Sequence, residues 1–180
     1  DRYVEPSPVE VSKNIPAYEN VWDRIRATSS SEQTDLDEKT LRYINAYLAN
    51  PEQLERLLEK GRYFIFYVLE ELEKYRLPPE LALLPYIESN YDPFSISASG
   101  AMGIWQFMPA TARIYGLNDT WWYEPRHDPL VSTHAAVRYL AYLHNRFSQE
   151  ITYPLAAYNG GPTLLATRIK LNKKATQLTH

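Results

Sequence analysis

Apolar residues recur at three- and four-residue steps along most of this chain, and no stretch sustains a period-two alternation. That pattern predicts an all-α fold with at most a small hairpin. Leu54, Leu57, Leu58, Gly61, Phe64, Ile65, Val68, Leu72 and Tyr75 form one continuous stripe, which predicts a single long helix from Pro51 as far as position 76. Asn50 can cap it, Pro51 suits its first position, and Gln53 completes a capping-box pattern. Upstream, Leu41, Ile44 and Leu48 share a stripe that predicts a helix over about 37–49. A short helix is expected near 21–25, inside an arm otherwise marked by Pro6, Pro8, Pro16 and the polar run 28–31.

Pro78 and Pro79 break the long helix and open another, which Pro85 should kink and Asp92-Pro93 should end. Residues 95–103 are small and polar, with glycines at 100 and 103. Pro109 starts a short helix that Gly116 terminates. An aromatic, acidic loop at 121–124 precedes a helix over about 132–147, striped by Ala136, Val137, Leu140, Leu143 and Phe147. A last helix begins near Pro154, breaks around 159–162, and resumes toward Lys170. The expected organisation is an arm at 1–34, helices over 35–77 packed on the core, and the core itself at 78–180.

Composition narrows the classes of function. With 180 residues, 44% apolar and 23% charged, the chain suits one globular domain with a real core. A net charge of −3 argues against a nucleic-acid binder. The lack of cysteine removes disulfides and thiolate chemistry. His127, His134, His144 and His180 follow no metal-ligand spacing, so neither metal nor cofactor is expected. No apolar run approaches the roughly 20 residues of a membrane span, so no transmembrane segment is expected in this chain. It opens at Asp1 without an initiator Met or a leader, as a mature or trimmed piece would. Tyrosine is abundant, 15 against 5 Phe, and amphipathic rings suit half-wet cores and carbohydrate clefts alike.

One carboxylate stands apart. Glu88 lies one helical turn from Leu84 and two from Leu81, so the acid shares their apolar face. Poor solvation there would keep it protonated and fit to act as a general acid; the bland alternative is an exposed glutamate at a frayed helix end. A two-carboxylate glycosidase needs a second acid. Asp92 reads as a turn former before Pro93, and Asp119, Glu124 and Asp128 sit in a loop whose position the sequence does not fix.

Three ordered motifs carry a resemblance. Glu88-Ser89, Gly103-Ile104-Trp105-Gln106 with its continuation to Pro109, and Ala157-Tyr158-Asn159 resemble the signatures of lytic transglycosylases with a goose-type lysozyme-like fold, above all the membrane-bound type-D members. The resemblance implies cleavage of the MurNAc-β-1,4-GlcNAc bond of peptidoglycan glycan strands without water, leaving 1,6-anhydro-MurNAc ends. One glutamate, Glu88, would act as acid and then as base. It further implies that Ser97 contacts the substrate's acetamido group, that Gln106 and Met108 line the cleft, and that Tyr158 hydrogen-bonds Glu88. Asn159 would brace the site or bind sugar, and Gly103 would be small so that backbone can approach the glycan. Trp105, Trp121 and Trp122 could stack on pyranose rings or pack internally. The implied location is the bacterial periplasm or cell envelope.

The chain also departs from that pattern. Gly160-Gly161-Pro162-Thr163 stands where relatives carry a small residue and Gly-Glu-Gly, and Ser148-Gln149-Glu150 where they often have a Gly-Asp-Trp-like turn. Type-D members often add a lipid-bearing Cys and LysM repeats, so outer-membrane anchoring is an expectation for a full-length protein only. Two other readings compete. One is a lysozyme-like muramidase using an acid from the 119–128 loop to activate water, and the other a glycan-binding module without activity.

Overall fold

The computed structural model describes residues 7–9, 20–29, 38–147 and 151–178. In chain order the helices are α1 (Val21–Thr28), α2 (Glu38–Leu48), α3 (Pro51–Lys60), α4 (Ile65–Lys74), α5 (Leu84–Ser89), α6 (Pro109–Ile114), α7 (Pro129–Phe147), α8 (Thr152–Gly160) and α9 (Pro162–Leu178). Two 3-10 turns, Pro79–Leu83 and Pro125–His127, precede α5 and α7. Among the described residues, extended pairing is limited to the isolated bridges Ile96–Met102 and Met102–Phe107. The fold is all-α, as expected.

The core forms around α7. Ala136, Val137, Leu140 and Leu143 are fully enclosed, packed with Ile65, Val68, Leu69 and Leu72 of α4 and with Leu81 and Ala82 of the first 3-10 turn. Asp128 caps α7 from outside, its Oδ1 accepting from the amides of Leu130 (2.9 Å) and Val131 (3.1 Å). This cap starts the helix at Pro129, three residues before the expected 132. Glu71 of α4 is also buried. It is paired with Lys74, and its Oε2 lies 3.1 Å from His134 Nδ1 of α7. Burial pushes the Glu71 carboxyl up, but the hydrogen bonds from Lys74 and His134 outweigh it and leave the group below its ordinary range.

The single long helix over 51–76 is corrected to two, α3 and α4, separated by a tight turn at 61–64. The stripe runs through both, which is why periodicity alone joined them. Tyr86 makes the break. Its phenol lies against Gly61 and donates to the Leu58 carbonyl at 2.6 Å. Any side chain at 61 would collide with that ring, and the captured carbonyl is one that a continuing helix would have used.

The Pro79-to-Ser89 segment likewise divides, into a 3-10 turn and then α5. Pro85 stands in the first turn of α5, where its missing N–H costs no helical bond. The expected kink is therefore a helix start. At the other end of the chain, α8 and α9 meet at Gly161, whose φ of 85° no β-carbon-bearing residue adopts easily.

The arm is partly described. Val9 N donates to Lys74 O at 2.7 Å. Asn20 caps α1, accepting from the amides of Trp22 and Asp23. Buried Arg24 reaches Glu73 at 2.7 Å, and Ser29 donates to Glu80, which fixes α1 against α4 and the following turn. The apolar stripe of α2, by contrast, stays substantially exposed at Leu41, Ile44 and Leu48. The rest of the arm, the expected helix start at 37, the departure at 148–150 and His180 lie outside the described residues.

Candidate active site

Helix α5 is short because Asn90 adopts the left-handed conformation (φ 55°, ψ 35°). The Asn90 and Tyr91 amides then close back onto the Tyr86 and Pro85 carbonyls at 3.1 and 3.0 Å. Leu84, Pro85 and Tyr86 point into the core, which leaves Glu88 half-buried at the end of the helix. Among the described residues no hydrogen bond or ion pair reaches its carboxyl. Burial alone pushes that carboxyl above its ordinary range. Ser89 secures it from the adjacent position, donating to Ile104 O at 2.9 Å and lying 3.3 Å from Pro85 O.

The loop that receives this tether is held from within. Ser97 closes a turn, accepting from the Ala101 amide at 2.9 Å while its own amide bonds Ala101 O at 2.9 Å, and its hydroxyl lies 3.0 Å from that of Ser99. Gln106 sits at φ 48° and donates its side-chain amide to Gly103 O (2.9 Å) and Ser95 O (3.3 Å). Met108 is partly exposed at the start of α6. Trp105 settles one alternative: it is 0% exposed and donates to Thr133 Oγ1 at 2.8 Å, so it is core and not a sugar face.

The second loop, 119–128, locks onto the first. Arg126 grips Glu124 through two hydrogen bonds (2.8 and 2.6 Å) and donates to Gly100 O (3.1 Å) and Phe107 O (3.3 Å). The guanidinium holds Glu124 below the ordinary carboxylate range. Gly103, at φ 77°, corrects another expectation. A side chain there would run into the Arg126 carbonyl, so the glycine admits protein backbone. Asp128 is occupied as the α7 cap and accepts from Tyr123 Oη at 3.1 Å. Two of the three loop acids are thus committed to structure.

Tyr158 of α8 completes the arrangement, though not as expected. Its phenol donates to Trp105 O at 2.8 Å, not to Glu88. A phenol has one proton, and here the backbone carbonyl takes it. Its ring packs on Trp105 and Tyr139, with centroids 6.5 and 5.3 Å apart. Burial first, and then the charge of Glu88, raise the phenol well above its ordinary pKa, so the two groups are within electrostatic reach. Glu88, Ser89, Ile104, Trp105 and Tyr158 therefore form one connected unit, with Gln106 and Ser97 bracing the loop beside it. Asn159, the next residue along α8, is exposed. Sequence reasoning missed the tether made by Ser89 and the anchoring by Arg126. The first was signalled by its place beside the acid, the second by nothing local.

A half-buried acid on an all-helical scaffold is joined by a family match. The chain belongs to the Transglycosylase SLT domain family, whose model matches residues 66–179. Among similar proteins is the membrane-bound lytic murein transglycosylase D of Escherichia coli (strain K12), 36% identical over 127 residues, 71% of this chain and 28% of that protein. A protein of Alteromonas sp. (strain M-1) named for tributyltin chloride resistance is 40% identical over 98 residues, 54% of this chain and 47% of that one. The membrane-bound lytic murein transglycosylase F of Pseudomonas fluorescens (strain Pf0-1) is 31% identical over 126 residues, 67% of this chain and 24% of that one. The chain thus spans less than half the length of each of these relatives. Among the described residues no helix is long and apolar enough to cross a membrane.

Proposed function

We propose that the chain is a peptidoglycan lytic transglycosylase domain that cleaves the MurNAc-β-1,4-GlcNAc bond with Glu88 as its one protein acid. The observation that carries this reading is a carboxyl raised by burial, without a hydrogen-bonding partner among the described residues, beside a loop in which two of the three acids, Glu124 and Asp128, are tied up. Protonated Glu88 donates to the glycosidic oxygen as the C1–O bond breaks. The C6 hydroxyl of the same muramyl residue then closes on C1, and its proton passes to the glutamate, restoring the acid. Bonds and protons balance without water, and the product is a 1,6-anhydro end. An attacking group already held within the substrate gives the step a high effective concentration, so no second protein carboxylate is needed.

In this reading Ser97 meets the acetamido group, whose oxygen can stabilise charge at C1. Gln106 and Met108 line the strand's path. Tyr158 holds the Trp105 backbone in place beside the acid, and Asn159 meets sugar from the exposed face of α8. The names of the two murein transglycosylase relatives support peptidoglycan as the substrate and the bacterial envelope as the location, with the periplasm the compartment where that polymer lies and outer-membrane anchoring a property of a longer protein. Glu88→Gln is expected to keep binding to purified sacculi while turnover falls at least about a hundredfold, the usual contribution of acid catalysis. Unchanged turnover would remove Glu88 from the role.

A further inference from the structure

The loop that Arg126 anchors carries a feature the chemistry above does not use. Thr120 and Tyr123 close a tight turn: the Thr120 amide donates to Tyr123 O at 2.9 Å and the Tyr123 amide to Thr120 Oγ1 at 3.1 Å. The two residues between them are Trp121, 95% exposed, and Trp122, 70% exposed. Tyr123 supports the turn from below, its hydroxyl on Asp128 and its ring 5.8 Å from that of Trp122. The turn is therefore ordered by its own hydrogen bonds, yet holds two indoles in water. Each is an apolar face of about 150–250 Å² that hydrophobic burial would ordinarily enclose.

The same loop is continuous with the residues that follow Glu88. Arg126 binds the Gly100 and Phe107 carbonyls, and His127 Nδ1 lies 2.7 Å from Pro93 O with its ring 5.9 Å from that of exposed Phe94. We propose that Trp121 and Trp122 form a stacking platform for the pyranose rings of a glycan strand leaving the Glu88 loop. This rests on the substrate class proposed above. Pyranoses of a β-1,4-linked strand present C–H faces to a flat ring and hydroxyls to water, which suits an exposed indole better than a wholly apolar ligand would.

Charge and area argue against the other occupants. Residues 119–128 hold Asp119, Glu124 and Asp128, and the single arginine within that segment, Arg126, is buried in its ion pair. Interfacial anchoring to an anionic bilayer calls for Lys and Arg around the aromatic wedge. Two indoles offer at most about 500 Å², short of the roughly 800 Å² per partner of a stable protein interface.

The test uses the chain carrying Glu88→Gln, so that binding is read without turnover. Titration with β-1,4-linked GlcNAc oligomers, followed by indole fluorescence, should saturate. Adding Trp121→Ala and Trp122→Ala should weaken affinity for long oligomers and for sacculi about tenfold, whereas Phe at both positions should restore most of it. Ile114→Ala, an exposed apolar change on α6, should have no effect. Equal affinity with and without the indoles would overturn the platform. So would a blue shift on anionic vesicles that exceeds the shift on oligomers, or a dimer that dissociates only in the double alanine variant. A chain that binds oligomers through the indoles but makes no anhydro ends would keep this inference and sink the reaction proposed above.

Discussion

The Glu88 carboxyl sits in surroundings that oppose its ionisation. Its native pKa lies above the unfolded value of about 4.3, so between the two the native state holds the extra proton and stability falls as pH rises through that window. Glu88→Gln removes the penalty. In thermal melts that variant is expected to be more stable than the parent at pH 7, with the difference closing below about pH 4; equal melts at both pH values would show that the carboxyl is not desolvated. Glu71 has the opposite sign. Its lowered pKa contributes stability that is present above the ordinary carboxylate range and lost as pH falls through the native value. The desolvation of the Glu88 carboxyl was legible, because Leu81, Leu84 and Glu88 share a face whether the intervening turn is 3-10 or α. The partner of Tyr158 was not, since a phenol's one proton goes to whichever acceptor the fold brings nearest, and that was the Trp105 carbonyl.

The two loops beside α5 act as one element because Arg126 and Gly103 join them. Gly103→Ala adds a methyl where the Arg126 carbonyl already stands, at a φ that disfavours it. The expected loss is at least about 3 kcal/mol by urea unfolding, combining backbone strain with overpacking. A loss under about 1 kcal/mol would mean the loops are not clamped at that point. Helix periods read correctly where local signals agreed, as at Asn50, Pro109 and Gly116. They misled at Gly61, where the terminator is the side chain of Tyr86, distant in sequence and invisible to a local pattern.

At the scale of the molecule, α4 and α7 share one core, and the family match likewise begins at Phe66 within the α4 segment. The expected boundary at 78 marks a change of backbone, from α4 to the 3-10 turn that follows it. We propose that the folding unit reaches back through α4. A chain trimmed to begin at Pro78 loses Ile65, Val68, Leu69 and Leu72 from that core. It is expected to lack a cooperative melt, whereas one beginning at Pro51 retains it; a folded Pro78 chain would restore the original boundary. The all-helical class was legible from spacing alone, and the family from three motifs. The mutual clamping of the loops was not, because it runs through backbone carbonyls that no residue type announces.

If one protein carboxyl works with the substrate's own hydroxyl, the products of digesting purified sacculi in heavy-oxygen water carry the signature. Mass spectrometry of the released muropeptides should find anhydro-muramyl ends, one water lighter than hydrolysis products and free of the label. Reducing ends carrying heavy oxygen would show that water, and not the muramyl hydroxyl, attacks C1.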